Sequence, residues 1–344
     1  MQMSFEHKHN WLLILQGWSI LWIVIGNTFL GNPGSGPVWE SILLRTAYSF
    51  HLPLLMFVCG CIFEVVFLSE NNVSAMEQFK NQLLAYIAPF FLFTFIALII
   101  KTALSETLFD FNLLTNDFIH GILYPGEKPM SPLWFMMVLI WLHLLLPVWK
   151  YVLEKSWTTW LLLVLLLFVH LFTFSAEFLC IRWACYFAIY FFAGILVMKK
   201  RYIDQFSGMN GFFIFVLGYL VYLFGVDFDK TIAEFGGIAF SIGISVMLSH
   251  VFPKTFSTFR DYYFQIFILG YFVQILFRLA FSHLSIPYAL GYFVCLLTGI
   301  YVPVMISKIL QSVNFAPLHY CVGLFTKMNV EKQKYKNQIK LMVE

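Results

Sequence analysis

Ten separate runs of mostly apolar residues dominate this 344-residue chain, at roughly 11–30, 42–68, 83–103, 133–153, 157–175, 179–198, 211–226, 231–252, 262–280 and 287–309. Hydrocarbon offers no partner for a bare N–H or C=O, so an apolar run of about 20 residues in a bilayer must be a helix that bonds its own backbone. The expected fold is therefore all-α: a polytopic membrane helical bundle of about ten transmembrane helices. Composition agrees. Hydrophobic residues make up 60% of the chain and charged ones 11%, where a soluble domain needs about a quarter charged to cover its surface. A soluble enzyme, a secreted disulfide scaffold, a disordered chain and a nucleic-acid binder are all excluded.

The first run is not expected to be a cleaved signal peptide, because it contains Gln16 and Asn27 and leads through a Gly/Pro loop into the next span. The seventh is short and flanked by Asp227, Asp229 and Lys230. The longest expected loop, 104–132, carries the turn signal Tyr124-Pro125-Gly126. Residues 1–310 read as one transmembrane domain and 311–344 as a basic cytoplasmic tail able to touch anionic lipid. With ten spans both termini share a side, and that side collects fifteen of the 21 Lys and Arg residues. The excess puts both termini in the cytoplasm. Cys59, Cys61, Cys180, Cys185 and Cys295 lie in apolar runs without metal spacing, so no metal site is expected.

Polar side chains inside such spans are costly and mark functional hypotheses. Gln16 and Asn27 are eleven residues apart, almost three whole turns. They share one face of the first helix, about 16 Å apart along its axis, and that face lines something polar. In the second span Arg45 is followed by His51-Leu52-Pro53, where the proline frees backbone carbonyls. Arg45, Pro53 and Asn27 are expected to converge on His51. Glu64 lies toward the cytoplasmic end of that span, and Trp134 opens the fourth after Ser131-Pro132. Leucine-rich surroundings make His143 and His170 packing residues. Gly237, Ser241 and Ser245, four apart, argue for tight helix packing. Gln265, Gln274 and Arg278 offer further polar lining in the ninth span.

These residues resemble a family. Leu15 to Asn27, with its Gln16-Gly17-Trp18-Ser19 start, resembles the first span of the acyltransferase-3 group of integral membrane O-acyltransferases. Tyr48-Ser49-Phe50-His51-Leu52-Pro53, running on to Gly60, is similar to its second-span signature. Ser131-Pro132-Leu133-Trp134-Phe135 is similar to its Leu-Trp-Phe entry to the fourth, and Phe191-Phe192-Ala193-Gly194 to its sixth-span ending. The resemblance implies transfer of an acyl group, usually acetyl from acetyl-CoA or another acyl-CoA in the cytosol. The implied acceptor is a hydroxyl of a cell-envelope glycan or lipid-linked sugar beyond a bacterial inner membrane. The candidate catalytic residues are Asn27, His51 and Gln16, and the candidate substrate-binding residues are Arg45, Trp134 and Glu64.

The sequence departs from the family where the chemistry sits. Asn27 stands in place of the family's first-span histidine, its general base, and Gln16 in place of a basic residue. An amide takes no proton near neutral pH. Three readings follow: His51 takes over as base, the substitution silences the enzyme, or the chain is a non-catalytic relative that binds or exports a glycan or lipid. A secondary transporter is disfavoured by the absence of a clear inverted repeat.

Overall fold

The computed structural model describes residues 10–30, 36–68, 75–104, 111–126, 133–172, 177–201, 203–281, 286–313, 319 and 322–323. Among the described residues there are helices and no strand. The α-helices are α1 (Asn10–Asn27), α2 (Val38–Phe63, continued by a π-helical turn over Glu64–Leu68), α3 (Ala75–Leu104), α4 (Phe111–Leu123), α5 (Leu133–Leu144), α6 (Leu146–Leu153), α7 (Ser156–Leu171), α8 (Ile181–Lys200), α9 (Gly208–Phe228), α10 (Lys230–Val251), α11 (Tyr263–Phe281) and α12 (Tyr288–Ser312). The protein is a multi-pass membrane helical bundle.

A helix falls on each of the ten apolar runs. Seven are long and apolar enough to cross a membrane, and an eighth joins them if α5 and α6, which meet at 49°, form one bent span. The other two apolar helices, Tyr86–Ile99 within α3 and Ser156–Leu171, are shorter. At 1.5 Å per residue, 16 residues of helix reach only about 24 Å, against a hydrocarbon core of about 30 Å. Ten crossings require both of these to span as well. The expected loop over 104–132 needs correction, since α4 occupies Phe111–Leu123. Its apolar residues recur at helical spacing between polar ones, a pattern too polar for a span and too regular for a loop. The Tyr124-Pro125-Gly126 signal does form the turn that follows it. Ser131-Pro132 and nearly all of the tail lie outside the described residues.

The chain divides into two compact units: residues 1–71 with 187–306, and 72–186 with 307–344. In the first unit α1 packs on α2, α10 and α11. One end of α1 is fixed by Asn10 Nδ2, which donates to the Ser249 carbonyl, and by Trp11 Nε1, which donates to Asp204. At mid-height Trp18 Nε1 donates to Ser241 Oγ, and the Trp22 ring meets Phe50 edge-on. The expected tight packing of the Gly237 stripe holds, since a Cβ on Gly237 would run into the Phe50 ring. Two further glycines form a reciprocal crossing of α2 and α8. Gly60 lies against the Phe191 carbonyl and Gly194 against the Phe57 carbonyl, so closely that neither position has room for a methyl group. The seventh apolar run becomes α9, and Asp229 then caps α10 by accepting from the Thr231 and Ile232 N–H groups.

In the second unit α3 packs on α4 and α5, with the Phe95 ring against Phe118 and the Tyr86 ring against His143. Pro147 has no N–H to continue the ladder of α5. The helix breaks at Leu145, and Trp149 Nε1 closes the gap by donating to the Leu142 carbonyl. One side of α7 carries exposed Trp157, Trp160, Leu161 and Val164, a surface suited to lipid.

Candidate active site

His51 sits in α2, two residues before Pro53, and is buried. Its Nδ1 lies 2.5 Å from the Ala47 carbonyl oxygen one turn earlier. A carbonyl can only accept, so Nδ1 carries the ring hydrogen and Nε2 keeps its lone pair. That nitrogen is turned toward α1: it lies 3.6 Å from where a Cβ on Gly26 would stand. Glycine at 26 therefore leaves room beside the imidazole, and the next residue is Asn27. The Tyr48 and His51 rings meet edge-on, 5.0 Å between centroids.

Asn27 ends α1 and is half-buried. The chain beyond it is held by Thr28, whose hydroxyl donates to the Val24 carbonyl at 2.7 Å. Gln274 Nε2 of α11 donates to Thr28 Oγ1 at 2.7 Å and lies 3.2 Å from the Val24 carbonyl. Gln16 is buried lower on α1, and its carbonyl accepts from the Ser19 hydroxyl. His51 is thus brought to the end of α1 that Asn27 closes.

Arg45 does not join them. It is exposed, and six residues amount to about one and two-thirds turns, which sends it to a different face of α2 from His51. The expected convergence fails for that geometric reason. Glu64 opens the π-helical turn near the far end of α2. Its Oε2 is buried with no hydrogen-bond partner, and the charges of Lys199 and Arg201 act on the carboxyl. Trp134 belongs to the second unit, where it is half-buried against Trp183 at 5.4 Å. The two other span histidines are buried and bonded: His143 Nδ1 to the Leu139 carbonyl, His170 Nδ1 to the Tyr186 carbonyl.

The structure gives Arg278 its surroundings and adds Glu40 to the residues singled out in the sequence. Arg278 of α11 lies over the Phe29 ring at 4.0 Å and within electrostatic reach of Tyr48, Tyr271 and Cys295. Glu40, in the first turn of α2, is fully buried and accepts from the Tyr288 hydroxyl at 2.7 Å, leaving Oε2 unpartnered. The rings of Tyr288 and Tyr292 both meet Trp39 edge-on. Arg278 announced itself as a charge near the end of an apolar run, but its neighbours come from elements far away in sequence. Glu40 stands just before the second apolar run and reads there as a loop acid. A neutral imidazole with a free lone pair, next to an amide donor, can take a proton from a hydroxyl and steady a developing oxyanion.

Comparison with protein families matches residues 9–308 to the acyltransferase-3 family, described as an acyltransferase domain. No curated protein and no solved structure matches the chain.

Proposed function

The chain belongs to the acyltransferase-3 family and is a membrane acyltransferase, and from that premise we propose that it moves an acyl group, acetyl in the first instance, from acyl-CoA to a hydroxyl of a cell-envelope glycan or lipid-linked sugar at a bacterial inner membrane. In this reading His51 is the base that Asn27 cannot be. Nε2 takes the hydroxyl proton while the acceptor oxygen bonds to the acyl carbonyl carbon. The Asn27 amide donates a hydrogen bond to the carbonyl oxygen as it gains charge. When the tetrahedral centre collapses, the carbon–sulfur bond breaks and Nε2 returns its proton to the departing thiolate. The products are an ester and free CoA thiol. Gln16 lines the stretch of α1 along which the acyl group approaches.

The observation that supports this best is the orientation of His51: one ring nitrogen is tied to its own helix and the other faces α1 beside Asn27. The test is thiol release by purified protein in liposomes given acetyl-CoA and envelope glycan. Loss of a positioned base typically costs about 10²–10⁴-fold, so His51→Gln should lower the rate by that factor and Asn27→His should raise it. Full activity in His51→Gln would overturn His51 as base. Glycan binding with no thioester consumed would make the chain a non-catalytic relative.

A further inference from the structure

Gln274 is almost fully buried in α11, and its side chain reaches across to the end of α1. Nε2 donates to Thr28 Oγ1 at 2.7 Å and lies 3.2 Å from the Val24 carbonyl oxygen. The Thr28 hydroxyl donates in turn to that same carbonyl at 2.7 Å, and the Thr28 N–H donates to the Ile25 carbonyl at 3.0 Å. Thr28 is fully buried. Val24 and Ile25 belong to the last four residues of α1, whose carbonyls have no partner farther along the helix. Thr28 and Gln274 between them supply donors to both.

A glutamine in a span often only ties two helices together. This one bonds to the final turn of α1, the turn in which Gly26 faces His51 Nε2 and Asn27 ends the helix. It is also held from behind. A Cβ on Gly299 of α12 would stand 2.9 Å from its Cγ, Cδ and Nε2, so no larger residue fits there while Gln274 keeps its place. One turn earlier on α11, a Cβ on Gly270 would stand 2.7 Å from the Gly299 carbonyl oxygen, which shows how closely α12 approaches. The end of α1 is therefore fixed by α11 and α12, whereas His51 is tied within α2 to the Ala47 carbonyl. The imidazole and the asparagine are anchored separately, and the Gln274–Thr28 clamp sets their separation.

We propose that Gln274, acting through Thr28, is a positioning residue of the transfer reaction: it holds the last turn of α1 so that Asn27 stays beside His51. The part in transfer rests on the acyl-transfer reading; the clamp itself does not. Gly26 and Ala47 supply a ruler, because a Cβ on Gly26 would stand 3.5 Å from the Ala47 Cβ, within the span of a disulfide. In a full chain otherwise free of cysteine, Gly26→Cys with Ala47→Cys should bridge readily under copper phenanthroline. Adding Gln274→Met, similar in length but without the donor, should slow bridging severalfold. Thr28→Val, which keeps the shape and loses the hydroxyl, should slow it alike, and Thr28→Ser should restore it. In the transfer assay Gln274→Met should lower kcat about ten- to a hundredfold at unchanged KM for acetyl-CoA, since misplacing a group by about 1 Å can cost about 10²-fold. In an Asn27→Ala chain the same change should cost nothing further, because residues that act as one unit are not additive.

Unchanged bridging in both Gln274→Met and Thr28→Val overturns the clamp. Slowed bridging with unchanged kcat, or an equal fall in kcat in the parent and the Asn27→Ala chain, overturns its part in transfer. The bridging assay contains no acyl donor, so its outcome is separate from that of the transfer assay. A chain that releases no thiol in any form sinks the acyl-transfer reading, and the bridging rate then decides the clamp alone.

Discussion

At the scale of single residues, side chains that are costly in hydrocarbon carry the information. His51 and Asn27 stood out in the sequence because each interrupts an apolar run. The sequence could not say which ring nitrogen of His51 is free, because that depends on a hydrogen bond to Ala47 within a proline-disturbed turn. It overstated Arg45, since proximity along a helix is not a shared face. It missed Glu40, whose burial depends on Tyr288, 248 residues away. That contact yields a prediction. Tyr288→Phe removes the one hydrogen bond found for a fully buried carboxyl, and leaving a buried polar group unsatisfied costs about 1–3 kcal/mol. The variant should therefore melt several degrees lower in detergent, while Tyr288→Leu, which also loses the ring contact to Trp39, should melt lower still. Unchanged melting of both would mean that Glu40 is satisfied without Tyr288.

At the scale of elements, the helices were legible because hydrocarbon permits little else, and a helix lies on every apolar run. The exceptions are instructive. Helix α4 was hidden in an expected loop because its 13 residues mix polar and apolar side chains. The break between α5 and α6 follows from Pro147, which sits inside an otherwise continuous apolar run. Helix pairing was less legible, because a glycine in a sequence does not say which backbone approaches it. Gly60 and Gly194 meet opposite carbonyls of the α2–α8 crossing, where helices associate through close backbone contact. Alanine at either position should force the helices apart and cost about 1–3 kcal/mol, the usual penalty of overpacking. Because α2 carries His51, Gly60→Ala should lower transfer along with thermal stability. A Gly60→Ala variant as stable as the parent would show that the crossing yields freely.

At the scale of the whole molecule, the balance of Lys and Arg in the loops predicts which compartment each end of α1 meets. The Asn10 end lies with Asp204 and Ser249, and the Asn27 end with Gln274. If both termini are cytoplasmic, single cysteines placed at Asp204 and at Asp229, in a chain otherwise free of cysteine, should label from opposite sides of a sealed membrane. Position 229 should react with an impermeant maleimide in intact cells, and position 204 only after the membrane is opened. The reverse pattern would invert the orientation and place the His51 side in the cytoplasm with the donor.

The tether between His51 Nδ1 and the Ala47 oxygen also limits the traffic of hydrogen ions. An imidazole free at both nitrogens can hand a proton from one face to the other, as a relay does. This ring has a single open port, facing α1, so whatever it collects there must depart by the same nitrogen. Passage of acyl groups by this route would leave the acidity of both compartments undisturbed by His51, and turnover would be indifferent to any proton gradient across the bilayer.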